Sequence, residues 1–135
     1  MDAKLDGIDA VFLDLDGTIY LGGELIEGAK EFLERCTQQG VKRYFLSNNS
    51  SKSVAQYLEK LLGLGIPAVG EDVLLSTHDL LAWLDRNAIT ETWLVGTEGM
   101  RSMLEERGIK TTSEHPQYVV LGYDTELSYS KISRA

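Results

Sequence analysis

From residue 10 onward, short apolar runs alternate with stretches in which apolar residues recur every three or four positions, the pattern that yields parallel strands joined by helices. Five runs have strand character, at residues 10–13, 41–46, 73–75, 92–95 and 118–121. The first is continuously apolar up to Asp14, as expected of a strand covered on both faces. Ala29, Phe32, Leu33 and Cys36 then fall at i, i+3, i+4 and i+7 on a helix that Gly40 ends through a left-handed turn. Ser50 or Ser51 is placed to cap the next helix, whose buried stripe is Val54, Tyr57, Leu58 and Leu61. Leu80, Leu81, Trp83 and Leu84 mark a third helix. Met100, Met103 and Leu104 mark a fourth, between a turn and cap at Gly96 and Thr97 and a stop at Gly108. Methionine and tryptophan at this spacing read as core filler. A last helix, with Ser128 as cap and Tyr129 and Ile132 as apolar face, has only about two turns before Ala135, so the chain reads as cut there. The pattern alone equally permits one five-stranded sheet.

Composition narrows the class without choosing a chemistry. With 43% hydrophobic and 25% charged residues, the 135-residue chain is that of an ordered globular protein. Its formal charge of −8 argues against a surface for nucleic acid or an anionic membrane, which would need clustered Lys and Arg. Acidity serves solubility, and it also fits a site that must take up a cation before it accepts a phosphate. Cys36 is the single cysteine, so no internal disulfide forms, and no run approaches the ~20 apolar residues of a membrane span or the layout of a signal peptide. A cytoplasmic protein is expected. His78 and His115 stand far apart with no Cys or His at ligand spacing, which leaves no legible zinc site and reads as surface or helix-end histidines.

The candidate chemistry lies just past the first two strands. Ligands of open parallel sheets bind beyond the carboxyl ends of the strands, and there the chain carries Asp14-Leu15-Asp16-Gly17-Thr18 and Ser47-Asn48-Asn49. Strands joined by one crossover tend to be neighbours, which brings both clusters to one rim. Two carboxylates two residues apart repel, and a hard dication with oxygen ligands, Mg²⁺ above all, is the simplest way to keep Asp14 ionised. Asp14 is then a candidate nucleophile toward phosphorus, and Asp16 a candidate general acid and base. Ser47, Asn48 and Asn49 offer a hydroxyl and two amides to phosphoryl oxygens. Taken singly, Asp-Gly-Thr and Ser-Asn-Asn-Ser-Ser are also ordinary turn and cap chemistry. Their joint placement carries the functional reading.

The segment Val11-Phe12-Leu13-Asp14-Leu15-Asp16-Gly17-Thr18 resembles the first motif of the haloacid dehalogenase superfamily, and Phe45-Leu46-Ser47-Asn48-Asn49 its second. The run from Ile19 to Ala29, with Val95-Gly96-Thr97-Glu98-Gly99 and Val120-Leu121-Gly122-Tyr123-Asp124, is similar to the NagD-type branch of p-nitrophenylphosphatases and phosphoglycolate phosphatases. The resemblance implies an α/β fold: residues 1–77 as the N-terminal part of a Rossmann-like three-layer core, and residues 78–135 as the first part of an inserted α/β cap. It implies Asp14 as nucleophile and Asp16 as acid and base, with Mg²⁺ on the Asp14 carboxylate and the Asp16 main-chain carbonyl. Ser47, Asn48 and Asn49 would hold the phosphoryl group of a small phosphorylated metabolite. The family's lysine and its later acidic pair have no match, since Lys110 and Lys131 do not follow a core strand in the required way. The resemblance therefore implies that the rest of the cap and the returning core are lost and that this chain alone hydrolyses esters poorly. Two other readings stay open on the residues: a receiver-like phospho-acceptor domain, which lacks an acid after the third strand where Ser76, Thr77 and His78 stand, and a non-catalytic module that keeps remnants of the motifs.

Overall fold

The computed structural model describes residues 5–135. The elements run β1 (Ala10–Asp14), β2 (Tyr20–Leu21), β3 (Glu24–Leu25), α1 (Ala29–Gln38), β4 (Lys42–Ser47), α2 (Val54–Gly63), β5 (Val73–Leu75), α3 (Ser76–Arg86), β6 (Thr92–Val95), α4 (Glu98–Glu106), β7 (Tyr118–Leu121) and α5 (Tyr129–Ser133). The five strands expected from the pattern are present, but in separate sheets: β1-β4-β5 in one and β6-β7 in another, with β2-β3 as a small third. The single five-stranded sheet that the pattern permitted, and that a receiver-like domain would need, does not form. The chain packs as two compact units, one of residues up to Ser47 with Tyr57–Leu74, the other of Asn48–Gln56 with Leu75–Ala135.

In the first unit β1 and β4 run parallel, Ala10 opposite Lys42 and Asp14 opposite Leu46. Helix α1 buries Ala29, Leu33 and Cys36, as its spacing requires, and ends at Gly40, whose φ of 71° is the left-handed conformation that lets Val41 N–H return to the Cys36 carbonyl at 2.9 Å. Leu5, Cys36 and Val41 form a small core against which Val11 and Phe32 pack. The expectation that β1 is covered on both faces is not met: Phe12 is 61% exposed and Leu46 37%, and Phe12 stacks on Tyr44 with ring centroids 5.2 Å apart. A continuous apolar run says that both faces shed water, not that the described residues supply both covers; α1 packs beside Val11, and alternation turns Phe12 to the other side.

The β2-β3 hairpin was not expected. Its turn is Gly22-Gly23, Gly22 has φ 61°, and Tyr20 stands opposite Leu25. Gly-Gly between apolar dipeptides is a legible hairpin signal, but strands this short fall below the length at which alternation can be counted.

In the second unit β6 and β7 are parallel from Thr92 opposite Tyr118 to Val95 opposite Leu121, above a core that includes Leu81, Leu84, Leu94, Met100, Met103 and Leu104. Thr97 caps α4 as expected, its hydroxyl accepting from Met100 N–H at 3.3 Å and donating to the Ser51 carbonyl at 2.7 Å. Trp83 departs from its core assignment: it is 38% exposed and meets Tyr118 edge-on, because the buried stripe of α3 is Thr77, Leu81 and Leu84. His78 is a helix-end residue, its Nδ1 accepting from Leu75 N–H at 2.9 Å. Helix α5 has five residues, and its expected apolar face is in water, with Tyr129 86% and Ile132 54% exposed.

The cap of α2 is Ser53, not Ser50 or Ser51. Ser53 N–H donates to Gln56 Oε1 at 2.8 Å while Ser53 Oγ accepts from Gln56 N–H at 3.3 Å, a reciprocal pair three residues apart. Ser50 Oγ is occupied elsewhere, accepting from Tyr123 N–H at 2.8 Å, and the Ser51 carbonyl accepts from the Thr97 hydroxyl. Gly99 of α4 lies so close that a Cβ there would stand 2.3 Å from Gln56 Oε1 and 3.0 Å from Ser53 N. Ser53→Ala is expected to cost about 1 kcal/mol in urea denaturation. An unchanged midpoint would show the cap to be idle.

Candidate active site

The site begins with an alternation. Leu15 is fully buried, so its neighbours Asp14 and Asp16 both turn outward, and both are exposed. The chain then closes tightly: the Leu15 carbonyl accepts from Thr18 N–H at 3.2 Å and Ile19 N–H at 3.0 Å, and Gly17 N–H donates to the Tyr20 carbonyl at 2.8 Å. Gly17 has φ 84°, and a Cβ there would meet nothing within 4 Å, so conformation and not space demands the glycine.

Ser47 ends β4. Because β1 and β4 are parallel with Asp14 opposite Leu46, Asp14 and Ser47 stand at the same end of adjacent strands. Alternation puts Asp14 on the face of Phe12 and Leu46, and Ser47 on the face of Leu13 and Phe45, so they share a rim and not a face. Ser47 is 7% exposed, and its Oγ lies 2.8 Å from the phenolic oxygen of Tyr57, itself fully buried on α2.

Two buried phenols, Tyr20 and Tyr57, feel the charge of the carboxylate pair, and the sequence reading had given neither a chemical role. Burial above all raises the titration of Tyr20, and the negative charge of Asp16 adds to it. Burial likewise raises that of Tyr57, against a smaller opposing effect of the Ser47 hydrogen bond and with smaller contributions from Asp16 and Asp14. Lys60 Nζ sits 3.8 Å from the Tyr20 ring centroid. The legible signal for Tyr57 was a hydroxyl inside an otherwise aliphatic helical stripe, since a buried phenol needs a partner.

The Tyr20 hydroxyl is buried with no hydrogen-bond partner among the described residues. Tyr20→Phe removes that unsatisfied group and is expected to stabilise the fold by about 1 kcal/mol at neutral pH. The folded pKa of Tyr20 lies above the unfolded one, so its contribution is complete below about pH 10 and lost as pH rises beyond it. The advantage of Tyr20→Phe should therefore widen above that pH. Urea midpoints of the two proteins across the alkaline range check this, and a destabilised Phe variant would contradict it.

Asn48 and Asn49 fall in the second unit. Asn49 Oδ1 accepts from Ser51 N–H at 2.9 Å, a side-chain turn, and the Asn48 carbonyl accepts from Ser76 Oγ at 3.3 Å. Both lysines weighed from the sequence have acidic neighbours within the second unit. Lys131 Nζ is held by Asp124 Oδ2 at 2.9 Å, the Gly96 carbonyl at 2.8 Å and the Glu126 carbonyl at 3.0 Å, and Lys110 lies 3.7 Å from Glu91. Among the described residues no group of three or more His, Cys, Asp or Glu gathers at metal-binding range. Asp14 and Asp16 are hard oxygen donors, which fits a hard dication in kind.

The model of the haloacid dehalogenase-like hydrolases matches residues 11–110. The chain is 36% identical over 124 residues to the 5'-nucleotidase YutF of Bacillus subtilis, covering 90% of this chain and 48% of that protein. It superposes on a 4-nitrophenylphosphatase from Thermotoga maritima with a TM-score of 0.89 at 33% identity, covering 96% of this chain and 50% of the other. A glycerol phosphate phosphatase from Mycobacterium tuberculosis, solved in complex with calcium, gives 0.81 at 28% identity, with 94% and 38% coverage. The chain spans about half the length of the curated relatives it matches.

Proposed function

Because the chain belongs to the haloacid dehalogenase-like hydrolases, we propose that it carries the nucleophile and general acid of a phosphatase acting on small phosphate monoesters. The observation that carries the reading is the parallel register of β1 and β4, with Asp14 and Ser47 at one rim and Asp16 turned outward beside them by the buried Leu15. The same reading assigns residues 1–77 to the phosphatase core and 78–135 to the start of a cap, supported by the separation of β1-β4-β5 from β6-β7.

A carboxylate oxygen of Asp14 attacks phosphorus, and the phosphorus–ester oxygen bond breaks. The alcohol leaves with a proton from Asp16, and an aspartyl-phosphate remains. Water then attacks that phosphorus, Asp16 takes its proton, and the bond to Asp14 breaks to release inorganic phosphate. Ser47 donates a hydrogen bond to a phosphoryl oxygen, and Asn48 and Asn49, next in the chain, are assigned the same task by family resemblance. Mg²⁺, held by the Asp14 carboxylate and the Asp16 main-chain carbonyl, would supply the positive charge that lets a carboxylate approach a phosphate dianion.

Among the described residues no third carboxylate gathers with this pair and Lys131 is held by Asp124, so multiple turnover by the 135-residue chain should be slow. The test is therefore p-nitrophenyl phosphate with Mg²⁺, followed both by nitrophenolate release and by mass spectrometry of the quenched peptide containing Asp14. A phosphorylated Asp14 is expected. Nitrophenolate release with the phosphoryl group on another residue, or neither signal, would overturn the reading.

A further inference from the structure

We propose that Lys60 is a positioning residue of this site: its ammonium group, seated against the ring of Tyr20, pins the turn that carries Asp16 and so holds the general acid where the leaving alcohol needs it. The proposal rests on the phosphatase reading above and adds to it a residue that touches no substrate.

Asp16 is exposed, so its place is set by the backbone around it. The Leu15 carbonyl accepts from Ile19 N–H at 3.0 Å, Gly17 N–H donates to the Tyr20 carbonyl at 2.8 Å, and Tyr20 bridges Asp16 directly, so the turn closes on Tyr20. The Tyr20 side chain is fully buried, and Lys60 Nζ lies 3.8 Å from its ring centroid. Lys60 belongs to α2, an element far along the chain, and Asp16, Tyr20 and Lys60 all lie in the first unit. The contact therefore ties the acid-bearing turn to a helix. An ammonium over an aromatic face is drawn to the negative side of the ring quadrupole, and the attraction grows as water is shed. Here the ring is wholly buried and the lysine half-buried, between the exposed and the desolvated cases. An apolar side chain of the same length would cover the ring as well but would not be attracted to it. Burial first, and then the charge of Asp16, raise the titration of the Tyr20 phenol, so the carboxylate lies within electrostatic reach of the side chain that Lys60 grips. Transfer of a proton from a positioned acid is sensitive to displacements on the order of 1 Å, which is why a contact behind the turn matters to the chemistry in front of it.

The experiment compares the chain with Lys60→Met, which keeps length and helix propensity and removes the charge, with Lys60→Arg, which keeps the charge, with Asp16→Asn, and with the Lys60→Met/Asp16→Asn double variant. Its first readout needs no substrate. Amide hydrogen exchange at Gly17, whose N–H closes the turn, should lose about three- to ten-fold of its protection in Lys60→Met and regain it in Lys60→Arg, while the Val41 amide, bonded to the Cys36 carbonyl in the same unit, stays unchanged. The second readout is the rate at which the Asp14 peptide is phosphorylated, in the presence of Mg²⁺, by an alkyl phosphate and by p-nitrophenyl phosphate. Lys60→Met should slow the alkyl ester about three- to ten-fold more than the nitrophenyl ester, because only the alkyl leaving group needs the proton of Asp16. In the Asp16→Asn background it should slow the alkyl ester no further. Protection at Gly17 indifferent to Lys60→Met, an equal loss at Val41, no recovery in Lys60→Arg, or equal losses on the two esters would each overturn the proposal while leaving the phosphatase reading intact. A Gly17 amide that responds as expected in a chain whose Asp14 is phosphorylated by neither ester would overturn that reading, and the role given to Lys60 with it.

Discussion

Asp14→Asn is expected to lower p-nitrophenyl phosphate turnover by about 10³-fold or more and to abolish phosphorylation of the Asp14 peptide. The substitution keeps shape and exposure and removes the charge and nucleophilicity of the one atom that must bond to phosphorus. Leu15 stays buried and the turn at Gly17 is untouched, so loss of fold is not an alternative account of the result. Asp16→Asn should behave differently. It removes the proton that an alcohol needs in order to leave, and nitrophenolate leaves readily without one. The loss should therefore be larger for an alkyl phosphate than for p-nitrophenyl phosphate. Steady-state rates on both esters for both variants make the comparison. Equal losses on the two esters would remove the general-acid role of Asp16, and an Asp14→Asn protein with full turnover would remove the nucleophile.

Chelation of divalent cations by EDTA should bring turnover to background, and Mg²⁺ should restore it only at concentrations on the order of millimolar. Two exposed carboxylates at the end of β1 are the acidic side chains of the site among the described residues, and no third one gathers with them. Mg²⁺ prefers six ordered oxygen ligands and gives up water reluctantly, so a pair of protein donors holds it weakly. Without the cation an ionised Asp14 approaches a phosphate dianion with no opposing charge, and like-charge repulsion blocks the attack. A titration of rate against Mg²⁺ after exhaustive dialysis tests both halves of the prediction. Undiminished turnover in EDTA would exclude the role given to the metal, and saturation at micromolar Mg²⁺ would show further protein ligands.

How far each element could be read depended on which interaction holds it. Helix α1 was legible to its last turn because its burial pattern and its Gly40 stop are local: 3.6-residue periodicity and a left-handed φ are properties of neighbouring residues. The cap of α2 was missed by two or three residues. Three serines between residues 50 and 53 offer the same hydroxyl, and only the reciprocal bond with Gln56, together with the commitment of Ser50 Oγ elsewhere, picks out Ser53. Trp83 was misassigned for a related reason, since an apolar residue beside a buried stripe is drawn in or left out according to what packs against that edge of the helix.

The sequence by itself determined that the chain alternates strands and helices and that Asp14, Asp16 and Ser47 follow directly on apolar strands. Those facts depend on side-chain period and on single residues such as Gly17, and period is carried by neighbours along the chain. Tertiary structure alone decided which strands pair, so that five similar runs became a β1-β4-β5 sheet and a β6-β7 sheet. It also decided that Phe12 lies open and that the Ser47 hydroxyl rests on a tyrosine ten residues away. Pairing, cover and a buried hydrogen bond each join groups that no local pattern relates, and their energy depends on geometry reached only once the chain has folded.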